Sequence, residues 1–218
     1  MDIGTVAVLG GTGRQGSGLA RRFAKAGVGV IVGSRDPARA DAAIASWGAP
    51  PGSVRSASYA EAIGAASVVV VAVPFESIGD LLAQHTNFQA GAIVVDVAVP
   101  VTFGDGGPAL AHVEEGSATE HVKARVPAHV RVAGAFKTVP AHLLDDVERP
   151  LECDEFVCGD SIEAREAAQS LVGLLPGLRA VDVGPIARAR AIEYLTLLAI
   201  VINRRHKIHD ARYRIAGL

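Results

Sequence analysis

Apolar residues fall along this chain in short dense runs, separated by stretches where they recur every three or four positions. Residues 6–9, 28–32, 67–73 and 92–97 are such runs, apolar at consecutive rather than alternate positions. That pattern predicts strands buried on both faces, as in a parallel sheet covered by helices. Between them, residues 19–26, 37–46, 59–65 and 76–85 read as helices, and residues 53–57 as a short edge strand. Asp36 and Pro37 supply the cap and first position of the second helix, and residues 48–52 form a turn. The alternation predicts a doubly wound α/β sheet with right-handed crossovers.

The second half continues the pattern less regularly. Residues 102–108 read as a mobile glycine-rich loop, residues 116–120 open a helix that runs to about Arg125, and residues 129–136 form a strand. Residues 155–159 and 178–183 are further strands on either side of a helix over 161–175, and Gly184-Pro185 starts a long apolar terminal helix. These elements predict a small α/β extension on the same sheet. The expected division is residues 1–134 as a nucleotide-binding domain and 135–218 as a smaller lobe.

The turn after the first strand carries the first chemistry. Gly11-x-Gly13-x-x-Gly16, between a strand and a helix, is the dinucleotide fingerprint. Gly11 is expected to permit the tight turn, Gly13 to let a pyrophosphate approach the backbone, and Gly16 to bring helix and strand close. The helix N-terminus then receives the phosphates. About twenty residues on, where NAD-binding chains carry an acidic residue, this chain has Gly33-Ser34-Arg35. A hydroxyl and a guanidinium suit the 2′-phosphate of NADP, and Arg39, one helical turn later, adds charge. In a doubly wound sheet the ligand crevice lies beyond the carboxyl ends of the strands. Val73-Pro74-Phe75 and Val97-Ala98-Val99-Pro100 fall there and are expected to flank the ribose and nicotinamide.

Composition narrows the alternatives. Of 218 residues half are hydrophobic but only 5% aromatic, so the core must rest on Ala, Val, Leu and Ile. The formal charge of −2 gives no broad basic field for nucleic acid. Residues 1–5 run straight into the first strand, so no leader is expected. The longest apolar run, residues 192–202, is interrupted by Glu193 and Thr196 and is too short to span a bilayer. A cytoplasmic protein is expected. Cys153 and Cys158 match no metal or redox spacing, and His206 and His209 lack further ligands, so no metal site is expected. Arg204, Arg205, Lys207, Arg212 and Arg214 crowd the tail. They are either a dock for an anionic coenzyme or a solvated basic helix end.

Several stretches line up with one family. They are Val-Leu-Gly-Gly-Thr-Gly-Arg-Gln-Gly from Val8 to Gly16, Val-Gly-Ser-Arg from Val32 to Arg35, Thr-Val-Pro-Ala from Thr138 to Ala141, Val-Cys-Gly-Asp from Val157 to Asp160, and Asp-Val-Gly-Pro from Asp182 to Pro185. In this combination and order the chain resembles the F420:NADP oxidoreductases. The first motif is generic, and the later three make the likeness specific. The resemblance implies a Rossmann-type fold and reversible hydride transfer between NADPH and the deazaflavin coenzyme F420. It implies that Thr12, Gly13, Arg14 and Gln15 line the pyrophosphate and that Ser34, Arg35 and Arg39 hold the 2′-phosphate. Val73, Pro74, Val97, Val99 and Ala141 would border the nicotinamide, and Thr138, Val139 and Pro140 the deazaflavin. Lys137 stands where His is expected in the family members most like this chain; a cation at this point could pair with an anionic ring or with a different acceptor.

Hydride transfer between stacked rings needs position and a dry pocket rather than a nucleophile or metal. No side chain is therefore expected to be catalytic, although Lys137, His142 or water could move a proton. A homodimer is expected, because two-fold dimers are the commonest oligomers. Two rival readings keep the nucleotide: a flavin or ferric reductase using NADPH, and a non-catalytic NADP-binding redox sensor.

Overall fold

A computed structural model describes residues 3–218; the leader-free start expected at Met1 and Asp2 lies outside them. The first half alternates as its pattern predicts: β1 (Thr5–Leu9), α1 (Arg14–Lys25), β2 (Gly29–Ser34), α2 (Pro37–Ala45), β3 (Val54–Ser58), α3 (Tyr59–Ala65), β4 (Val68–Val71), α4 (Phe75–Gln84) and β5 (Ile93–Asp96). Then come β6 (Val101–Gly104), β7 (Gly107–Leu110), α5 (Ala118–Lys123), β8 (Arg131–Gly134), α6 (Ala141–Asp145), β9 (Cys153–Gly159), α7 (Ile162–Gly173), β10 (Leu178–Pro185) and α8 (Ala189–His206). Eight strands form one sheet in the order β10-β9-β8-β5-β4-β1-β2-β3.

Every pairing from β8 to β3 is parallel. One row of register partners crosses the middle of the sheet as Gly33, Leu9, Val71, Asp96 and Gly134. The segments that follow these residues therefore leave the sheet along the same rim. Consecutive residues of each strand feed opposite layers. Val6, Val8, Val68 and Val70 pack with α1, α2 and α7, while Ala7, Leu9, Val69 and Val71 pack with α3, α4 and α5. Burial on both faces is why these strands read as unbroken apolar runs.

Three elements differ from the sequence expectation. First, the extension is not parallel throughout. Strand β9 runs antiparallel to β8, pairing Ala133 with Gly159 and Gly134 with Cys158, and β10 runs parallel to β9. The connection from β8 stays at the rim. It forms only the short α6, which packs on α1 where a β-carbon on Gly18 would strike Leu144, and it makes no crossover. Second, residues 102–108 are not an unstructured loop. Asp105 and Gly106 connect β6 and β7 as a hairpin, with Gly104 opposite Gly107, and Gly107 takes the positive φ, +96°, that glycine adopts readily. Third, Gly184 and Pro185 end β10, and a 3₁₀ turn over Ile186–Arg188 precedes α8.

Helix α8 lies over the extension, with Ala189 and Ile192 against Phe156 and Cys158. Beyond it the chain returns along β9. Asp154 donates its backbone N–H to Tyr213 at 2.8 Å, and its carboxylate accepts from the backbone of Ile215 at 2.6 Å. Arg179 on β10 grips the same carboxylate through two nitrogens, at 2.8 and 2.7 Å. Among the described residues no helix is long and apolar enough to cross a membrane.

Candidate functional site

The rim carries two adjoining cavities, of about 580 and about 500 Å³. They share Gly13, Ala72, Val73 and Pro74, so the loop after β4 is their common wall.

The glycine turn forms the floor of the larger cavity. Its left-handed residue is Gly10 (φ +76°), not Gly11, and a β-carbon on Gly10 would sit 2.8 Å from the Ala72 carbonyl oxygen. Gly10 donates to Gly33 at 3.1 Å and Gly13 donates to Gly10 at 2.9 Å, which closes the turn. The tight-turn role expected of Gly11 thus belongs to its neighbour; Gly11 instead clears the Val32 side chain and the Val8 carbonyl, both 3.0 Å from its absent β-carbon. Gly16 does what its position predicts, since a β-carbon there would run into the Gly10 carbonyl. Gly11 and Gly16 shape the turn from behind, whereas Thr12 and Gly13 face the cavity. Helix α1 starts with no side-chain cap and no acidic residue in its first turn, which leaves its positive end available to an anion.

The outer end of this cavity carries two arginines beside Asp36. Ser34, Arg35 and Arg39 line it, together with Tyr59. Ser34 accepts from the Asp36 N–H at 3.1 Å and donates to the Asp36 carbonyl at 3.0 Å. Asp36 caps α2 by accepting from Arg39 N at 3.1 Å, so its carboxylate serves the helix as its place before Pro37 predicts. Both arginines are exposed. Helix α4 supplies the facing wall, including Glu76 and Asp80.

The second cavity is mostly apolar and joins the two halves of the chain. Arg14, Gln15, Val73, Pro74, Val97 and Val99 line it from the first half. Thr138, Val139, Pro140 and Ala141 line it from the second. Sequence reasoning missed its outer wall, which is Thr196, Ala199, Ile200 and Asn203 of α8 together with Val101 and Phe103 of the hairpin. The available signal was the seven-residue spacing of Thr196 and Asn203, two polar side chains on one face of an apolar helix.

The segment from Phe136 to Val139 is held unusually firmly. Phe136 has φ 56°, a strained conformation for a residue with a bulky side chain. Its ring meets Phe23 edge-on at 5.9 Å, and its carbonyl accepts from Gln15 Nε2. Gln15, expected at the pyrophosphate, thus ties the glycine turn to the second half. Thr196 Oγ1 donates to the Lys137 carbonyl at 2.9 Å. From below, Glu155 accepts from the backbone of Lys137, Thr138 and Val139.

Lys137 is not free to meet a ligand charge. Its side chain is fully buried, with Nζ 2.6 Å from Asp96, 3.8 Å from Glu193 and 2.5 Å from the Ala98 carbonyl. Asp96 also accepts from Thr119 Oγ1 at 2.9 Å and from Ala98 N at 3.0 Å. Glu193 accepts from Ala118 N at 2.8 Å and Arg190 at 3.1 Å; burial pushes its carboxyl up, against the pull of Lys137. The ring-pairing role open to Lys137 in the sequence is therefore withdrawn: its charge is consumed beneath the cavity. His142 lies on α6 and lines neither cavity.

In the tail, Arg212 pairs with Asp210 at 3.0 Å and Arg214 approaches Asp154 at 3.9 Å. Arg204, Arg205 and Lys207 are exposed, and of this region Asn203 and Ala211 reach the second cavity. Burial pushes the thiols of Cys153 and Cys158 up to about 11, so both stay protonated. Among the described residues no cluster of three or more His, Cys, Asp or Glu could hold a metal ion.

Burial also pushes the Glu155 carboxyl up, to about 7, against the lowering effect of its hydrogen bonds. The folded chain therefore keeps a proton that the unfolded chain releases near pH 4.5. This group's contribution to stability is full below that value and is lost as pH rises to about 7. Urea unfolding of the parent and of Glu155→Gln at about pH 5 and about pH 8 should show the parent's relative stability falling with pH. A difference that does not change with pH would contradict this.

The doubly wound sheet, the glycine turn and the cavity with Arg35 and Arg39 at its outer end define a dinucleotide-binding protein. The family model described as NADP oxidoreductase, coenzyme F420-dependent, matches residues 5–100. The F420-dependent NADP reductase of Methanothermobacter thermautotrophicus is 37% identical over 220 residues, covering 98% of this chain and 95% of the relative. That of Methanocaldococcus jannaschii is 33% identical over 221 residues, covering 98% of each. A crystal structure from Arthrobacter sp. FB24, described provisionally as an F420-dependent NADP reductase, superposes with a TM-score of 0.78 at 31% identity, over 97% of this chain and 98% of the other. The chain belongs to the F420-dependent NADP reductase family.

Proposed function

We propose that this chain transfers hydride reversibly between NADP(H) and coenzyme F420 across the wall shared by the two cavities. The observation that carries the reading is their junction: a polar cavity with Arg35 and Arg39 at its outer end and an apolar cavity meet at Val73 and Pro74. In this reading Ser34, Arg35 and Arg39 hold the 2′-phosphate, and Thr12, Gly13 and the N-terminus of α1 receive the pyrophosphate. Val73, Pro74, Val97, Val99 and Ala141 border the nicotinamide, and Thr138, Val139 and Pro140 border the deazaflavin. The two coenzymes supply the redox chemistry. The chain's own residues orient the rings and exclude water, which is where most of the rate gain of such a transfer arises.

The reading divides labour at residue 134, with nucleotide binding before it and the acceptor side after it, Ala141 alone reaching back to the nicotinamide. It also makes the enzyme a cytoplasmic homodimer. Tyr194, Leu198 and Val201, at helical spacing on α8, are 55%, 48% and 42% exposed, an apolar stripe that supports the dimer. Buried free cysteines fit a reducing compartment.

The test is an acceptor screen. Purified protein with NADPH should bleach oxidised F420 and leave FMN unreduced. Bleaching of FMN alone would make the chain a flavin reductase. Tight NADPH binding without reduction of either would make it a sensor.

A further inference from the structure

Strand β9 is buried along all seven of its residues, and Glu155 sits within it. An ionisable side chain at such a position is unfavourable unless its oxygens are saturated. Here they are saturated by one short stretch of chain. Oε1 accepts from Lys137 N at 2.8 Å, and Oε2 accepts from Thr138 N at 3.2 Å, Thr138 Oγ1 at 2.9 Å and Val139 N at 3.1 Å. Three consecutive backbone N–H groups aimed at one carboxylate form a nest. That same stretch is the inner wall of the apolar cavity.

The backbone groups of this stretch divide cleanly. Its N–H groups go down to Glu155, while the carbonyls of Phe136 and Lys137 go to Gln15 and Thr196. Gln15 belongs to the glycine-turn helix and Thr196 to the outer wall. Glu155 thus holds the backbone of the wall toward the sheet, beside the Lys137 side chain, which is tied to Asp96 of β5.

We propose that Glu155 is a positioning residue for the acceptor: its carboxylate sets the backbone of Lys137, Thr138 and Val139, and so the surface against which the acceptor ring lies, without touching the ring. This rests on the reading that the apolar cavity takes the acceptor. An amide in place of the carboxylate keeps the size but turns an NH₂ group toward backbone N–H donors, so the wall must shift.

The experiment compares the full-length parent with Glu155→Gln and Glu155→Asp. At about pH 8, where the Glu155 carboxylate is ionised, it measures NADPH affinity by fluorescence, kcat and KM with F420, and hydrogen exchange at residues 137–139. For Glu155→Gln, kcat/KM for F420 should fall about tenfold or more, the scale of a displaced reacting surface. NADPH affinity should stay within about twofold. Amides 137–139 should exchange faster while those of β1 do not. Glu155→Asp, which keeps the charge on a shorter arm, should lie between parent and amide in both turnover and exchange; if the amide variant does not fold, it carries the test alone. A folded variant with F420 turnover within about twofold of the parent overturns the proposal. So does a parallel loss of NADPH affinity, which would mark a general structural role. A parent with no F420 turnover removes the functional reading and this proposal with it. A parent that turns over beside an unaffected variant removes this proposal alone.

Discussion

Replacing Lys137 with methionine is expected to lower the unfolding free energy by about 3–5 kcal/mol, the scale for breaking a buried ion pair from one side. The substitution keeps the length of the side chain but removes the charge shared by Asp96 and Glu193. Asp96 and Lys137 are wholly buried and 2.6 Å apart. Glu193 is also fully enclosed, and it retains Arg190 and a backbone N–H after the change. Asp96 retains Thr119 and a backbone N–H but no cation at hydrogen-bonding distance. The uncompensated charge on Asp96 should therefore dominate. Urea denaturation at neutral pH checks it, and adding Asp96→Asn should recover part of the loss. A decrease below about 1 kcal/mol, the range of an exposed pair, would mean that the charge is not buried as described. Lys137 also holds the Ala98 carbonyl, so a folded variant should reduce F420 more slowly as well.

Arg35→Ala should weaken NADPH binding by roughly 1.5–3 kcal/mol, the worth of hydrogen bonds to a charged group, or about ten- to a hundredfold in Kd. NADH, which lacks the 2′-phosphate, should lose much less. The guanidinium lines the outer end of the larger cavity beside Ser34 and Arg39 and is exposed, so its removal should leave thermal stability nearly unchanged. Titration of parent and variant with both nucleotides decides it. Equal loss for the two would reject a 2′-phosphate role and leave Arg35 as a general electrostatic contributor.

The parallel core was legible because its physics is local. Strands such as Val68–Val71 are buried on both faces, and an unbroken apolar run records that directly. The cofactor end was legible for a related reason: Gly13, Ser34 and Arg35 lie next to strand ends, and strand ends are easy to locate. What escaped depends on partners distant in sequence. Nothing in residues 153–159 encodes that β9 runs against β8; that follows from a connection that never crosses the sheet. The glycine spacing marks a turn but not which residue takes a positive φ, so Gly11 was read for Gly10. Glu155 is one acidic residue in a buried strand, and its meaning lies in three N–H groups some sixteen to eighteen positions earlier. The hairpin at Asp105 and Gly106 did have a local signal, and reading the surrounding glycines as looseness concealed it.

The returning tail has a consequence unrelated to hydride transfer. Because β8 meets β9 only through the pairs at Gly159 and Cys158, the opening residues of β9 look elsewhere for a neighbour, and the Tyr213 carbonyl supplies one to Asp154. The last residues act as a cover strip over a raw margin of the sheet. A chain trimmed ahead of Tyr213 would bare that margin and invite copies to zip together, so solubility should decline before turnover does.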